Sequence, residues 1–444
     1  MEFSIRKFIH SRSGSFEGVL KHIGILISAN AIVALLGLCT LVVMTRSLGV
    51  VGLGLLALIE AYPRAVDLIF RFEPLQAVIR YGTKALERND ETALLRLIKW
   101  GTLLDFCGAA FAAVIALSTL SIANHWIDLP QDQLMLAYIF AATLFGYAST
   151  TSVAVLRLFS RFDLYAKVLV ITAFARFLLA VVLWLLDAPF IAFFWLVVVD
   201  ALLQHILPLI IGWSLIKKRI DRPVHSVSMS GVLAENPGIL RYIFNANANV
   251  LSRNSTKQLD IIILGGLVSP RDIGLYQIAK RVALSALRVS KPIQTVIFPK
   301  LAQLWEQGER TRLQRLVFRF HTLLLCLGAP VVLVFFFWGE KIIPTIFGAE
   351  FSDATPLLTI QLAASTVFMA SSVFNSALLG IDQDRQLLMV TLTSSLVFLG
   401  GLFLFVPSFG IIAASWLTLV MNVIWSAGCY FFFIKRMRDS TRAL

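Results

Sequence analysis

Apolar runs follow one another along almost the whole chain. About twelve of them can be drawn, near 22–45, 50–71, 98–121, 134–157, 163–186, 189–215, 241–267, 272–300, 316–339, 354–380, 386–408 and 410–434. Each has about 20–27 residues, the length a helix needs to cross roughly 30 Å of hydrocarbon. This is the pattern of an all-α polytopic membrane protein. Composition agrees: of 444 residues, 58% are hydrophobic and only 15% charged, with mean hydropathy +0.81. A soluble domain carries about 25% charged residues.

The net charge of +13 would suit a nucleic-acid binder, but the basic residues sit mostly in short loops, where they set topology. One set of loops, with both tails, holds 28 of the 39 Lys and Arg, whereas the opposite loops hold Arg46, Arg271 and Lys341. Excess basic charge stays cytoplasmic, so both termini are expected there and no nucleic-acid partner is expected. Cys39, Cys107, Cys326 and Cys429 lie in apolar stretches without C-x-x-C spacing, and the six histidines are scattered. Neither a disulfide framework nor a zinc site is indicated, and no metal or cofactor is expected. The first apolar run is too long for a signal-peptide core.

The spans fall into two groups of six. The expected organisation is a cytoplasmic N-terminal segment (1–21), a six-helix bundle (22–215), a cytoplasmic linker (216–240) containing Arg222-Pro223 and Pro237-Gly238, a second six-helix bundle (241–434) and a cytoplasmic tail (435–444). Val51-Gly52-Leu53 and Ile273-Gly274-Leu275 open the second span of each half, a weak internal repeat or a chance match of apolar segments. Phe3, Ile5, Phe8 and Ile9 with Arg6, Lys7 and Arg12 form either an interfacial helix or a frayed tail.

Polar residues run in stripes along two of these spans. Asn245, Asn249, Ser252, Arg253, Thr256, Lys257 and Asp260 recur at intervals of three and four, one face of a helix. Gln277, Lys280, Arg281, Ser285, Arg288, Lys291 and Thr295 repeat the pattern in the next span, and Glu60, Arg64, Asp67 and Arg71 do so in the second. A charge near the bilayer centre costs roughly 2.5–3.5 kcal/mol on insertion scales. Stripes of this kind therefore face water or a polar ligand. Counting depth at about 1.5 Å per residue, Glu60, Arg64, Arg253, Lys257, Lys280 and Arg281 reach similar levels and are expected to ring one cavity. Pro63 and Pro292 supply bending points.

Internal pairing, such as Glu60 with Arg64 or Asp260 with Lys257, accounts for part of the set. It does not absorb all of it, because the spans hold eight basic residues against five acidic ones. The excess suits an anion, with Arg as a planar fork and Lys as a point charge. The expected binding residues are Arg64, Asn245, Asn249, Arg253, Lys257, Lys280, Arg281 and Arg288, with Glu60, Asp67 and Asp260 for coupling or gating. Arg176 and Asp200 stand equally far from the turn around Ala188 and are expected to form a structural ion pair. His205 reads as structural, and Asp105 is left open between a coupling-ion site and other roles. There is no phosphate-binding G-x-x-x-x-G-K-[ST] loop and no large soluble segment for hydrolysis or group transfer.

Several degenerate patches resemble the polysaccharide transporter family, the Wzx-type O-antigen flippases of the multidrug/oligosaccharidyl-lipid/polysaccharide exporter superfamily. They are Thr45-Arg46-Ser47-Leu48-Gly49 with Gly52; Asp260 to Gly265, then Ile273-Gly274-Leu275-Tyr276 and Ala279, ending at Phe298-Pro299; Ile346-Phe347-Gly348 with Phe351 and Ala354; Leu379-Gly380 before Asp384-Arg385; and Pro407 to Ala414. The similarity is stronger in the second half. It implies two six-helix bundles opening alternately to either side. It also implies a polyprenyl-diphosphate-linked oligosaccharide as substrate, in a bacterial inner membrane. The partners it implies are membrane lipids, a polysaccharide polymerase and chain-length machinery. The basic stripes would then hold the diphosphate, with Asn245 and Asn249 beside the sugars. Two other readings stay open: a cation-coupled multidrug antiporter, for which an acidic cavity is expected, and a non-transporting scaffold for glycan assembly. A membrane glycosyltransferase is disfavoured by the absence of an acidic catalytic loop.

Overall fold

The computed structural model describes residues 16–220, 227–287, 297, 300–301, 303–381 and 383–442, with side chains described except at 16–23, 249, 252–257, 286 and 441–442. Among the described residues all regular structure is helical. In order these are α1 (Phe16–Phe70), α2 (Leu75–Glu87), α3 (Glu91–Ile127), α4 (Gln131–Ala142), a 3₁₀ turn (Thr143–Gly146), α5 (Thr150–Leu158), α6 (Phe162–Leu185) and α7 (Phe190–Arg219). There follow α8 (Val232–Glu235), α9 (Ile239–Gly265), α10 (Pro270–Leu287), α11 (Arg310–Phe347), α12 (Ala354–Gly380), α13 (Asp384–Phe409) and α14 (Ile411–Arg442).

Nine helical stretches among the described residues are long and apolar enough to span a membrane. The difference from about twelve has physical causes. α1 contains the first two expected spans, folded at Gly49, whose φ of 63° and ψ of −174° lie in a region open to glycine. α9 and α10 carry the polar stripes, and neither is among the nine. Large side chains such as Leu186, Phe336 and Leu404 are about 70% exposed, as lipid-facing residues are.

The chain forms two compact units. One comprises Met1–Gly37, Tyr62–His125 and Leu129–Asn254; the other comprises Leu38–Ala61, Trp126–Asp128 and Ser255–Leu444. In the first unit Leu94, Leu95 and Ile98 of α3 pack with Val155 and Leu156 of α5 and Leu215 and Ile216 of α7. The described part of the 216–240 linker is fastened to this unit. Val232 and Ile239 are buried with Tyr81, the Tyr81 hydroxyl donates to the Pro237 carbonyl at 3.2 Å, and Lys99 donates to the Val227 carbonyl at 2.9 Å.

In the second unit Leu313, Val317 and Leu324 of α11 meet Phe374 and Ala377 of α12 and Cys429 and Phe433 of α14. A second core joins Leu41, Val50 and Leu53 of α1 to Ile278 and Ala279 of α10 and Leu358 of α12. The backbones of α1 and α10 touch there. A Cβ on Gly54 would run into the Pro270 carbonyl, and one on Gly274 into the Val50 carbonyl. Gly274 belongs to the tripeptide repeat, but its counterpart at the crossing is Gly54, not the repeat's Gly52.

The fourth expected span, 134–157, is broken. Helix α4 tightens into the 3₁₀ turn, leaves helical geometry at Tyr147–Ser149 and restarts as α5. Gly146 and the run Ser149-Thr150-Thr151-Ser152 explain the weakness locally. Hydroxyl side chains compete for backbone groups, and glycine adds freedom.

Candidate functional site

The break in the first unit frees backbone groups inside an apolar protein, where each must find a partner. Side chains from three other helices supply them. The Asp105 carboxylate, on α3, accepts from the Thr150 hydroxyl through Oδ1 and from the Thr151 N–H at 2.7 Å through Oδ2, which caps α5 from outside the helix. Arg71, at the end of α1, donates through Nη1 to the Tyr147 carbonyl at 3.0 Å. Its Nε lies 3.2 Å from Asp67 Oδ1, and its Nη2 donates to Glu73 Oε1 at 2.9 Å. His205 of α7 stacks on the Tyr147 ring with 4.1 Å between centroids, and its Nδ1 lies 2.9 Å from Ser149 Oγ.

Asp105 therefore has a cap's role here, and His205, expected to be structural, is packed on Tyr147 and next to Ser149. Asp67, expected to couple or gate, is held by Arg71. Asn247 adds a bridge, accepting from the Glu73 N–H at 3.0 Å and donating to the Glu73 carbonyl at 3.1 Å. It lies between Asn245 and Asn249 but off their helical face, so the polar stripe in the sequence does not include it.

Two further sequence-derived residues in this unit behave as a pair. Arg176 Nη1 donates to Asp200 Oδ2 at 3.0 Å, and Gln204 joins from one turn away at 2.9 Å. Arg64 lies over the Phe140 ring, 5.2 Å from its centre.

In the second unit the polar centre is Asp260. Lys280 Nζ donates to both carboxylate oxygens, at 2.8 and 2.6 Å, and the Tyr276 hydroxyl donates to Oδ2 at 3.0 Å. Asp260 and Tyr276 are buried almost completely. Gln361 and Thr418, linked at 3.3 Å, also act on the Tyr276 hydroxyl. The sequence offered Lys257, whose side chain lies outside the described residues, as a partner of Asp260; among the described residues the partner is Lys280, from the neighbouring helix. Arg281 follows on α10, half-buried, and Glu60 is buried. Asn245 is exposed on α9. The side chains of Asn249, Arg253 and Lys257, and all of Arg288, lie outside the described residues.

Two sequence patches 300 residues apart meet in the same unit. Arg46 donates through Nε to the Ile346 carbonyl at 3.0 Å and through Nη2 to the Thr345 carbonyl, at the C-terminal end of α11. The Val50 N–H donates to Glu350 Oε2 at 3.3 Å, just past Gly49. A cation thus sits at a helix C-terminus and a carboxylate at a helix start, as the helix dipole favours.

Long apolar helices, polar stripes and buried charges together define a polytopic membrane protein with an ionisable interior. The chain belongs to the polysaccharide biosynthesis protein family, whose profile matches residues 43–356. It is 24% identical to the inner membrane protein YghQ of Escherichia coli over 78% of this chain and 97% of that protein. It is 22% identical to the probable low-salt glycan biosynthesis flippase Agl15 of Haloferax volcanii, over 35% of this chain and 33% of the other. The fold is similar to that of the lipid II flippase MurJ in an inward closed conformation, with a TM-score of 0.71 at 14% identity over 94% of this chain and 91% of MurJ. A multidrug resistance MATE transporter of the MOP superfamily, inward-facing, gives 0.66 at 11% identity over 94% and 95%. The expected fold, all-α and MATE/MOP-like, is the one observed.

Proposed function

We propose that this protein is a flippase that moves a polyprenyl-diphosphate-linked oligosaccharide, a repeat unit of O-antigen, capsule or exopolysaccharide, across a bacterial inner membrane by alternating access. The observation that carries this reading is the excess of basic over acidic residues within the apolar spans, eight against five, in a chain of the polysaccharide biosynthesis family. A diphosphate headgroup needs cations inside the membrane, because bare hydrocarbon solvates neither charge nor hydroxyls. In this reading Arg64, Arg253, Lys257, Lys280, Arg281 and Arg288 hold the diphosphate, and Asn245 and Asn249 contact the sugars. Membrane lipids surround the tail, and the polymerase and chain-length machinery act on the product.

Asp260 gives the reading a switch. Lys280 is engaged at 2.6 Å with a carboxylate, so a phosphate must compete with Asp260 for that ammonium. When the phosphate wins, Asp260 is left to take up a proton or another cation, which couples an ion to the substrate. Glu60 and Asp67 are secondary candidates for gating.

The test is the pool of lipid-linked glycans in a deletion strain, beside strains complemented with the intact gene and with Arg281→Ala. The expected result is build-up of diphosphate-linked oligosaccharide on the cytoplasmic face, corrected by the intact gene and not by the variant, with the variant protein inserted normally. Unchanged glycan pools together with new drug sensitivity would replace this reading with a multidrug antiporter.

A further inference from the structure

Away from both polar centres, the second unit holds two arginines on one indole. Trp305 is anchored in the core formed with Leu304, Leu313 and Phe433 and is 8% exposed. The Arg310 guanidinium carbon lies 3.3 Å from the centre of its ring, and that of Arg436 lies 5.3 Å away. Arg310 is fixed further by donating through Nη1 to the Trp305 carbonyl at 2.7 Å. The Nε donors of both arginines are buried and have no hydrogen-bond partner among the described residues.

Among the described residues neither Arg310 nor Arg436 forms an ion pair with an acid. Glu309 is occupied by Arg312, at 2.8 and 3.1 Å. Glu306 attracts Arg310, but Arg436 opposes it. Two like charges are drawn to one rigid platform, and each carries a planar fork of further guanidinium N–H groups besides the buried Nε. Phosphate oxygens fit such forks, because each guanidinium presents parallel N–H groups.

The location narrows the source. Arg310 opens α11 and Arg436 lies near the end of α14, both at the edge of long apolar helices, with Arg312, Lys435 and Arg438 close in sequence. Tryptophan and basic residues at that level face lipid headgroups. We propose that Arg310 and Arg436, carried on Trp305, form a phosphate site for the headgroup of an anionic membrane lipid, separate from the residues proposed to hold the transported substrate.

The full chain, purified in detergent, is titrated in parallel with phosphatidylglycerol, phosphatidylcholine and inorganic phosphate. Bound lipid is read by native mass spectrometry and stability by thermal midpoint. Preferential retention of phosphatidylglycerol is expected, falling about tenfold in Arg310→Gln/Arg436→Gln and unchanged in Arg315→Gln, an exposed cation on the following turn. Stabilisation by inorganic phosphate that is lost in the double variant, without lipid preference, keeps the phosphate site but assigns it to a free anion. The proposal is overturned if the unaltered protein prefers neither phosphatidylglycerol nor phosphate, a result independent of how the variants fold. An equal loss in Arg315→Gln would also overturn it, by reducing the effect to general surface charge.

Discussion

Asp260 shows how a single residue governs its surroundings. Its side chain is 3% exposed and that of Lys280 13%, so each charge depends on the other for the solvation that the bilayer withholds. Among the described residues, Lys280→Met leaves the carboxylate with the Tyr276 hydroxyl and a backbone N–H, and removing one member of such a pair costs about 3–5 kcal/mol. The double variant Asp260→Asn/Lys280→Met removes both charges and is expected to lose less than the two single variants combined. Thermal unfolding of the four proteins in detergent measures this, and strictly additive losses would dissolve the coupling. The two ion pairs also differ in how far the sequence reveals them. Arg176 and Asp200 are equidistant from the turn at Ala188, so a count along antiparallel helices finds them. Asp260 and Lys280 are at unequal distances from the turn after Gly265, so such a count misses them, and the nearer candidate in sequence is Lys257, one turn away on the same helix. Only the stagger of α9 against α10 brings Lys280 to the carboxylate.

At the scale of elements, the apolar runs mark nearly every spanning helix, because length and hydropathy are local properties. The break between α4 and α5 is not local in that sense. No proline marks it, and the groups that satisfy it come from Asp67 and Arg71, from Asp105 and from His205, on three separate helices. Reading 134–157 as one continuous span follows from hydropathy alone. If Asp105 caps α5, Asp105→Ala costs about 0.5–2 kcal/mol, the range for lost N-caps. The loss should be concentrated in the amides of 150–153, which would exchange with solvent faster by hydrogen–deuterium mass spectrometry while α6 stays protected. Unaltered exchange at 150–153 would remove the capping role. The α1–α10 crossing behaves differently because backbone meets backbone. Gly274→Val puts a branched side chain against the Val50 carbonyl, and overpacking of this kind costs about 1–3 kcal/mol. A lowered thermal midpoint is expected for Gly274→Val, whereas Gly400→Ala, where a Cβ meets nothing within 4 Å, should leave the midpoint in place.

At the scale of the whole molecule the deciding quantity is the distribution of charge between the two sets of loops. Arg46, Arg271 and Lys341 are the basic residues of the sparse side. Two of them are engaged by neighbouring groups: Arg46 by the Thr345 and Ile346 carbonyls and Arg271 by Asp353 at 2.8 Å. Cations tied down in this way are explained by local contacts, so the sparse side has little free basic charge to hold it in the cytoplasm. The rich side carries most of the lysines and arginines in short loops and tails, where each resists translocation. Both termini are therefore expected in the cytoplasm. Green fluorescent protein fused after Leu444 should fluoresce, and alkaline phosphatase fused there should be inactive. The phosphatase inserted in the turn between α9 and α10 should be active. The reverse pattern would turn the molecule over. It would also move Arg310 and Arg436 to the outer leaflet, where lipids with other headgroups would have to fill the proposed phosphate site, and it would put the more basic loops on the side from which glycan lipids leave in the proposed function. If the proposed function holds, the fusion experiment bears on substrate entry as well as orientation, because a diphosphate lipid made in the cytoplasm first meets the cytoplasmic face, and only the expected orientation puts the basic loops there.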